Sequence, residues 1–282
     1  MCELCHRHGE GGKWFLQAKN YADDLLSDLR RRDYVQRFMR GQRAQIGAPE
    51  AMAGYARLPW PLKPVVRRVI EHRLRRDHFG QVVTPAEARE ILALVNSVVR
   101  LPCVCRRITL GGEHRYCLGF SMLPGGLGAA GLADPSYWSG PGGTGLERLT
   151  REEALALLAG FEREDLVHSV WTFKTPYIGG LCNCDAEGCR AMRGNLRFGL
   201  TVLHPGESVA AVNEKACRGC GICLRRCPFG AIHLDTELGV AAVAAERCYG
   251  CGLCLTECPW RAVSMRSRSA ETREDANLGA ED

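Results

Sequence analysis

Sixteen of the 282 residues are cysteine, and eight of them stand at spacings with a defined chemistry. Cys217-x2-Cys220-x2-Cys223-x3-Cys227-Pro228 is followed by Cys248-x2-Cys251-x2-Cys254-x3-Cys258-Pro259, each cysteine of the second set 31 positions after its counterpart. The segment is therefore an internal duplication. Three thiolates at i, i+3 and i+6 let one tight loop wrap three corners of an iron-sulfur cube, with main-chain amides turned toward its sulfurs. The fourth corner must come from elsewhere, and in this arrangement the cysteine before proline crosses to the other cluster. Cys217, Cys220, Cys223 and Cys258 are expected to bind one [4Fe-4S] centre, and Cys248, Cys251, Cys254 and Cys227 its twin. Gly219, Gly221, Gly250 and Gly252 permit close backbone approach, while Pro228 and Pro259 interrupt any helix after each loop. Zinc is the alternative occupant, but tetrahedral zinc sites usually pair two separate Cys-x2-Cys knuckles.

With all eight ligands in place, residues 206–266 resemble the bacterial two-cluster ferredoxins. The resemblance implies a small pseudo-twofold α+β module whose clusters each cycle by one electron. Such centres span a wide potential range, so the ligands alone do not fix the direction of flow. Ferredoxins of this type are commonly acidic, whereas this segment carries seven Lys or Arg against six acids. Its docking partner is expected to differ accordingly.

Eight further cysteines lie outside that segment, at Cys2, Cys5, Cys103, Cys105, Cys117, Cys182, Cys184 and Cys189. Cys103-Val104-Cys105 and Cys182-Asn183-Cys184 each place two thiols one residue apart, with a third downstream at Cys117 or Cys189. In an extended segment alternate side chains share a face, so two such sulfurs can converge on one centre. The expectation is one additional metal centre drawing four ligands from Cys103, Cys105, Cys117, Cys182, Cys184 and Cys189. The alternatives are reduced cysteines packed as small apolar groups, and a redox-active disulfide. Cys2-Glu3-Leu4-Cys5-His6 matches the covalent haem pattern, but haem attachment follows export and the N-terminus shows no export signal. Metal binding by Cys2, Cys5 and His6 or His8 is the reading that remains, beside no specific role.

The chain as far as residue 265 also resembles a group of 4Fe-4S ferredoxin-like proteins with a cysteine-bearing N-terminal region. That resemblance rests on Cys2-x2-Cys5, Pro102-Cys103-x-Cys105-Arg106, Leu149-Thr150-Arg151-Glu152-Glu153-Ala154-Leu155, Leu166-Val167-His168 and Cys182-Asn183-Cys184. It implies no particular reaction.

Helices are expected to position the front of the chain. Apolar residues recur at helical spacing over 21–40, and a second, basic helix follows Pro64. Thr84-Pro85-Ala86-Glu87 predicts a capped helix running to about Val99, and Thr150-Arg151-Glu152-Glu153 another ending near Glu164. Residues 123–145, rich in Gly and Pro, read mainly as loop. Short β-prone runs at 209–212, 232–234, 240–243 and 263–265 bracket the two cysteine loops. The expected fold class is α+β: a mainly helical N-terminal region followed by a small pseudo-twofold ferredoxin-like module. The expected divisions are a basic helical region 1–80, a cysteine-bearing α+β region 81–205, the two-cluster module 206–266, and a disordered acidic tail 267–282.

No uninterrupted apolar run approaches the roughly 20 residues of a membrane helix. Without an export signal, and with clustered thiols that a reducing compartment would preserve, a cytoplasmic location is expected. The net charge of +5 is small for this length, but thirteen Lys or Arg lie between Arg30 and Arg76, a face suited to an acidic redox partner. No nucleic-acid recognition motif accompanies it, which leaves an oxidation-dependent DNA-binding regulator as the weaker reading. The glycines of 140–145 lack the ending of a phosphate loop. His114, His168 and His204 carry no catalytic pattern. The function expected is iron-sulfur electron transfer, with an oxidoreductase fed by the module as its alternative.

Overall fold

The computed structural model describes residues 3–44, 52–138 and 145–268. A seven-stranded sheet occupies the centre of the chain, formed by β1 (Gly80–Val82), β2 (Ser97–Leu101), β3 (Cys117–Ser121), β4 (Glu147–Leu149), β5 (Val167–Thr172), β6 (Ile178–Cys184) and β7 (Leu203–His204). Its order is β4-β2-β3-β6-β5-β1-β7, antiparallel throughout except for the parallel pair β1/β7.

This sheet replaces much of the mainly helical character expected of the front region. Helix Pro85–Leu94 begins with the expected capping box at Thr84 and Glu87 but stops five residues early. Val95 turns to extended backbone, and Val98 and Val99 bury in β2 against β3. Pairing with a distant strand overrides helical continuation for these β-branched residues. The second capping box, Thr150 with Glu153, starts helix Arg151–Arg163 as expected. Likewise only part of 21–40 is α-helical. Asp23–Ser27 forms a 3-10 turn, and the α-helix spans Leu29–Ala44. The turn is pinned by tertiary bonds: the Tyr21 hydroxyl donates to Phe15 O (2.6 Å), and the Asp23 carboxylate accepts from Ser121 Oγ and Met122 N–H.

Each face of the sheet has its own core. On one, Ile91, Leu92, Leu158 and Phe161 of the two capped helices pack on Leu118, Phe120, Val170 and Leu181, joined by Cys5, Trp14, Phe15 and Tyr21. Residues before and after position 80 thus share one core. On the other, Val35 and Met39 meet Ala129, Ala130, Tyr137, Trp138, Phe173 and Tyr177. Within 123–145, Gly128–Leu132 is a 3-10 turn and Pro135–Trp138 a short helix, while 139–144 lie outside the described residues. The basic helix Lys63–Asp77 has no buried residue.

Two two-stranded sheets follow. β8 (Ser208–Val212) pairs with β11 (Val263–Ser267), and β9 (Ile232–Asp235) with β10 (Val240–Val243), all antiparallel. The 31-residue offset of the cysteines recurs in the strands and in helices Ile222–Arg226 and Leu253–Thr256. It recurs in the backbone too: φ is +63° and +71° at Gly219 and Gly250, and +73° and +77° at Gly221 and Gly252. Of the residues read as a disordered tail, Ser267 completes β11 and Arg268 donates to the carbonyls of Gly206, Ala245, Ser208 and Cys248. Residues 269–282 lie outside the described residues.

Candidate metal centres

In each half of the C-terminal segment, a left-handed glycine begins the short helix that carries the third cysteine of its run. Gly250 is required sterically as well, since a Cβ there would stand 2.1 Å from Ser208 O. Cys217, Cys220, Cys223 and the distant Cys258 line one small cavity. The other set packs more deeply. Burial first, then the nearby Cys227 and Cys248, push the Cys251 thiol up to about 12, against the Leu253 N–H that favours its thiolate. Burial also raises Cys254, with Cys251, Cys248 and Cys227 adding to the push. Cys227 thus lies near Cys251 and Cys254, which Cys223 also approaches, while Cys258 lines the cavity of the first run.

Main-chain amides point at four of these sulfurs. Ala231 N–H donates to Cys227 Sγ and Ala262 N–H to Cys258 Sγ, both at 3.3 Å, and these two bonds are related by the 31-residue offset. Ala241 N–H reaches Cys217 Sγ (3.4 Å) and Ala210 N–H reaches Cys248 Sγ (3.5 Å), each from a strand of the opposite half. Buried thiols crowded against one another resist ionisation unless a cation compensates them. The residues fit a [4Fe-4S] pair on that ground: thiolate donors in two sets of four, amides aimed at sulfur, and glycines where a loop must close.

The two sets differ in surroundings. Cys220 is exposed, with Arg218 and the half-exposed Trp260 nearby. Cys251 instead shares an apolar core with Val82, Val167, Cys184, Cys189, Met192, Phe229 and Leu253, with Cys227 packed against it. Tyr249 stacks on Phe229 at 4.0 Å between centroids and bonds Asn195 through its hydroxyl (2.7 Å). Arg226 binds Asp165, Glu257 (3.1 Å) and the Glu162 carbonyl. One set is turned toward solvent and the other toward the central sheet.

All six middle cysteines line a second cavity, of about 130 Å³, on the sheet face that carries Val35 and Met39. Cys182 and Cys184 lie on one face of β6, as alternation requires, and Cys182 is the direct partner of Cys117. Cys103 and Cys105 reach the cavity differently from expectation: Cys103 is extended, as the N-cap of helix Val104–Thr109, but Cys105 lies within the first turn of that helix. Among the described residues, no group of three or more Cys, His, Asp or Glu side chains gathers closely enough to hold one metal ion.

Cys5 stands apart, fully buried with Trp14 and Phe15, and Cys2 lies outside the described residues. His168 is buried with Nδ1 2.6 Å from Asn183 Oδ1. Burial, aided by Arg75, lowers His204 to about 4. The wall residues Phe38, His78, Trp138 and Trp171 carried no signal in the sequence, because each comes from a different element.

A family model described as a 4Fe-4S dicluster domain matches residues 216–262. That segment binds iron-sulfur clusters of the 4Fe-4S type and implies a redox partner. No curated protein matches the chain. Among the described residues, no helix is long and apolar enough to cross a membrane.

Proposed function

We propose that the chain is a cytoplasmic electron-transfer protein holding two [4Fe-4S] clusters within 206–266, one on Cys217, Cys220, Cys223 and Cys258 and the other on Cys248, Cys251, Cys254 and Cys227. The observation that carries this reading is the 31-residue repeat of cysteines, glycine dihedrals and amide-to-sulfur bonds around both sets. When bound, such clusters supply one-electron chemistry. The chain's part is to set their environment. Amides directed at sulfur and the apolar residues around Cys251 stabilise cluster charge and limit water. The exposed side at Cys220 and Arg218 is where an outside partner approaches. Purification without air tests the reading: brown protein with at least about eight irons and as many sulfides, bleached by dithionite, is expected. Colourless protein, or zinc in place of iron, contradicts it.

A second reading makes the front of the chain an iron-sulfur oxidoreductase supplied by the module. It is favoured by a third cavity of about 290 Å³ that shares Phe38, His78, Val104, Cys105 and Trp171 with the six-cysteine cavity, giving room for a small molecule beside it. Cyanide or azide altering the paramagnetic resonance spectrum of the reduced protein would support this reading, and an unchanged spectrum would oppose it.

A further inference from the structure

Six thiols from segments as far apart as Cys103 and Cys189 border one void. They enter it from the face of β3 and β6 and from the starts of two helices, Val104–Thr109 and Arg190–Phe198. Cys117 Sγ lies 3.2 Å from Cys103 Sγ and 3.8 Å from Cys182 Sγ. Amides are aimed at sulfur here as well: Tyr116 N–H donates to Cys103 Sγ (2.9 Å) and Met192 N–H to Cys189 Sγ (3.4 Å). Arg106 is buried in the same wall. Its Nη2 donates to Asp185 Oδ2 (2.8 Å), but its Nε has no hydrogen-bond partner among the described residues. Its guanidinium lies 4.3 Å from the centroid of the Tyr116 ring, within electrostatic reach of Cys103 and Cys184, so the wall carries a buried positive charge beside the thiols.

Plain core packing does not account for this set, because side chains chosen only to fill space would close the void rather than border it. The donors are soft, as thiophilic metals require. The thiols meet in two groups on the walls of the void, Cys103 with Cys117 and Cys182, and Cys184 with Cys189, and donors on more than one wall suit a multi-iron cluster better than a single tetrahedral ion. Cys184 and Cys189 also share an apolar core with Cys251 of the module. A centre beside that ligand set is useful if it carries electrons, which zinc does not.

We propose that four of the six cysteines Cys103, Cys105, Cys117, Cys182, Cys184 and Cys189 hold a third iron-sulfur cluster, of the four-iron type, between the sheet and helix Leu29–Ala44. Arg106 faces its negative charge. The proposal stands on residues separate from those of the two-cluster reading, and its test separates the two.

The full chain is reconstituted without air, and iron and sulfide are counted per chain. The same count is made on a variant carrying Cys103→Ser, Cys182→Ser and Cys189→Ser, which keeps three middle thiols, too few for a four-thiolate cluster. About twelve irons are expected in the natural chain and about eight in the variant, with the circular dichroism of the two alike. About eight in both, six middle cysteines found as disulfides, or a zinc ion in their place overturns the third cluster and leaves the two-cluster reading standing. A count of about four that survives Cys220→Ser with Cys251→Ser but vanishes in the triple variant upholds the third cluster and defeats the two-cluster reading. Should the triple variant not fold, the count in the natural chain decides alone, about twelve supporting the proposal and about eight refuting it.

Discussion

Two glycines of the C-terminal segment separate dihedral need from close packing. Gly239 has φ +66° with nothing within 4 Å of where an alanine methyl would stand, whereas Gly250 at φ +71° faces Ser208 O at 2.1 Å. Gly239→Ala should destabilise by about 1 kcal/mol, the left-handed penalty alone. Gly250→Ala adds displacement of β8 and should cost distinctly more, with loss of iron from the second ligand set, measured by thermal unfolding and iron content. Equal effects would contradict the steric account. His204 gives a pH dependence. Its pKa falls from 6.5 to about 4 on folding, burial being the main cause, so between those values the unfolded chain binds more protons. Its contribution is complete above pH 6.5 and is lost as pH falls toward 4. His204→Gln should flatten denaturation midpoints across that window, and an unchanged slope would rule the residue out. The ligand types were legible in the sequence at this scale, because thiol spacing reports loop geometry directly. The walls of the six-cysteine cavity were not, since Phe38, His78 and Trp171 meet only through tertiary folding.

Arg226 does the joining among the elements. From helix Ile222–Arg226 it reaches Asp165 beyond helix Arg151–Arg163, the Glu162 carbonyl and Glu257 of the other half. Arg226→Ala should destabilise by about 2 kcal/mol, the scale of charged hydrogen bonds, with the C-terminal segment losing amide-exchange protection before the sheet. Uniform loss throughout would contradict a role at the junction between the segment and the sheet. The four strands of that segment were readable because short apolar runs alternate with turn residues and cysteine loops. The central sheet was not. β1, β4 and β7 are only two or three residues long, and β5 is buried over most of Val-His-Ser-Val-Trp-Thr, leaving no polar-apolar alternation to read. Pairs such as β3 with β6 join residues 65 apart, Cys117 and Cys182, and local patterns do not report partners at that distance.

Seen as a whole, the molecule places one cysteine set at its surface and the other against the central sheet, beside which six more line a cavity. The helix Lys63–Asp77 presents Arg67, Arg68, Arg73, Arg75 and Arg76 without burying a side chain, which suits an acidic redox partner steered by charge. The rate of reduction by such a partner should fall as salt rises, and replacing Arg67, Arg68 and Arg73 by Gln should weaken that dependence. Stopped-flow rates indifferent to ionic strength would remove the role.

The exchange of Cys227 and Cys258 between the two ligand sets is the feature on which the proposed function turns, and paired substitutions test it directly. Cys217→Ser with Cys258→Ser, far apart in sequence, should damage one cluster and leave about four irons in the module. Cys254→Ser with Cys258→Ser, neighbours in sequence, should damage both clusters and leave almost none. Iron counted after anaerobic reconstitution, in a background lacking the middle cysteines, reads the difference. The opposite order of retention would mean that each run of four cysteines binds its own cluster, and the interleaved arrangement would fall.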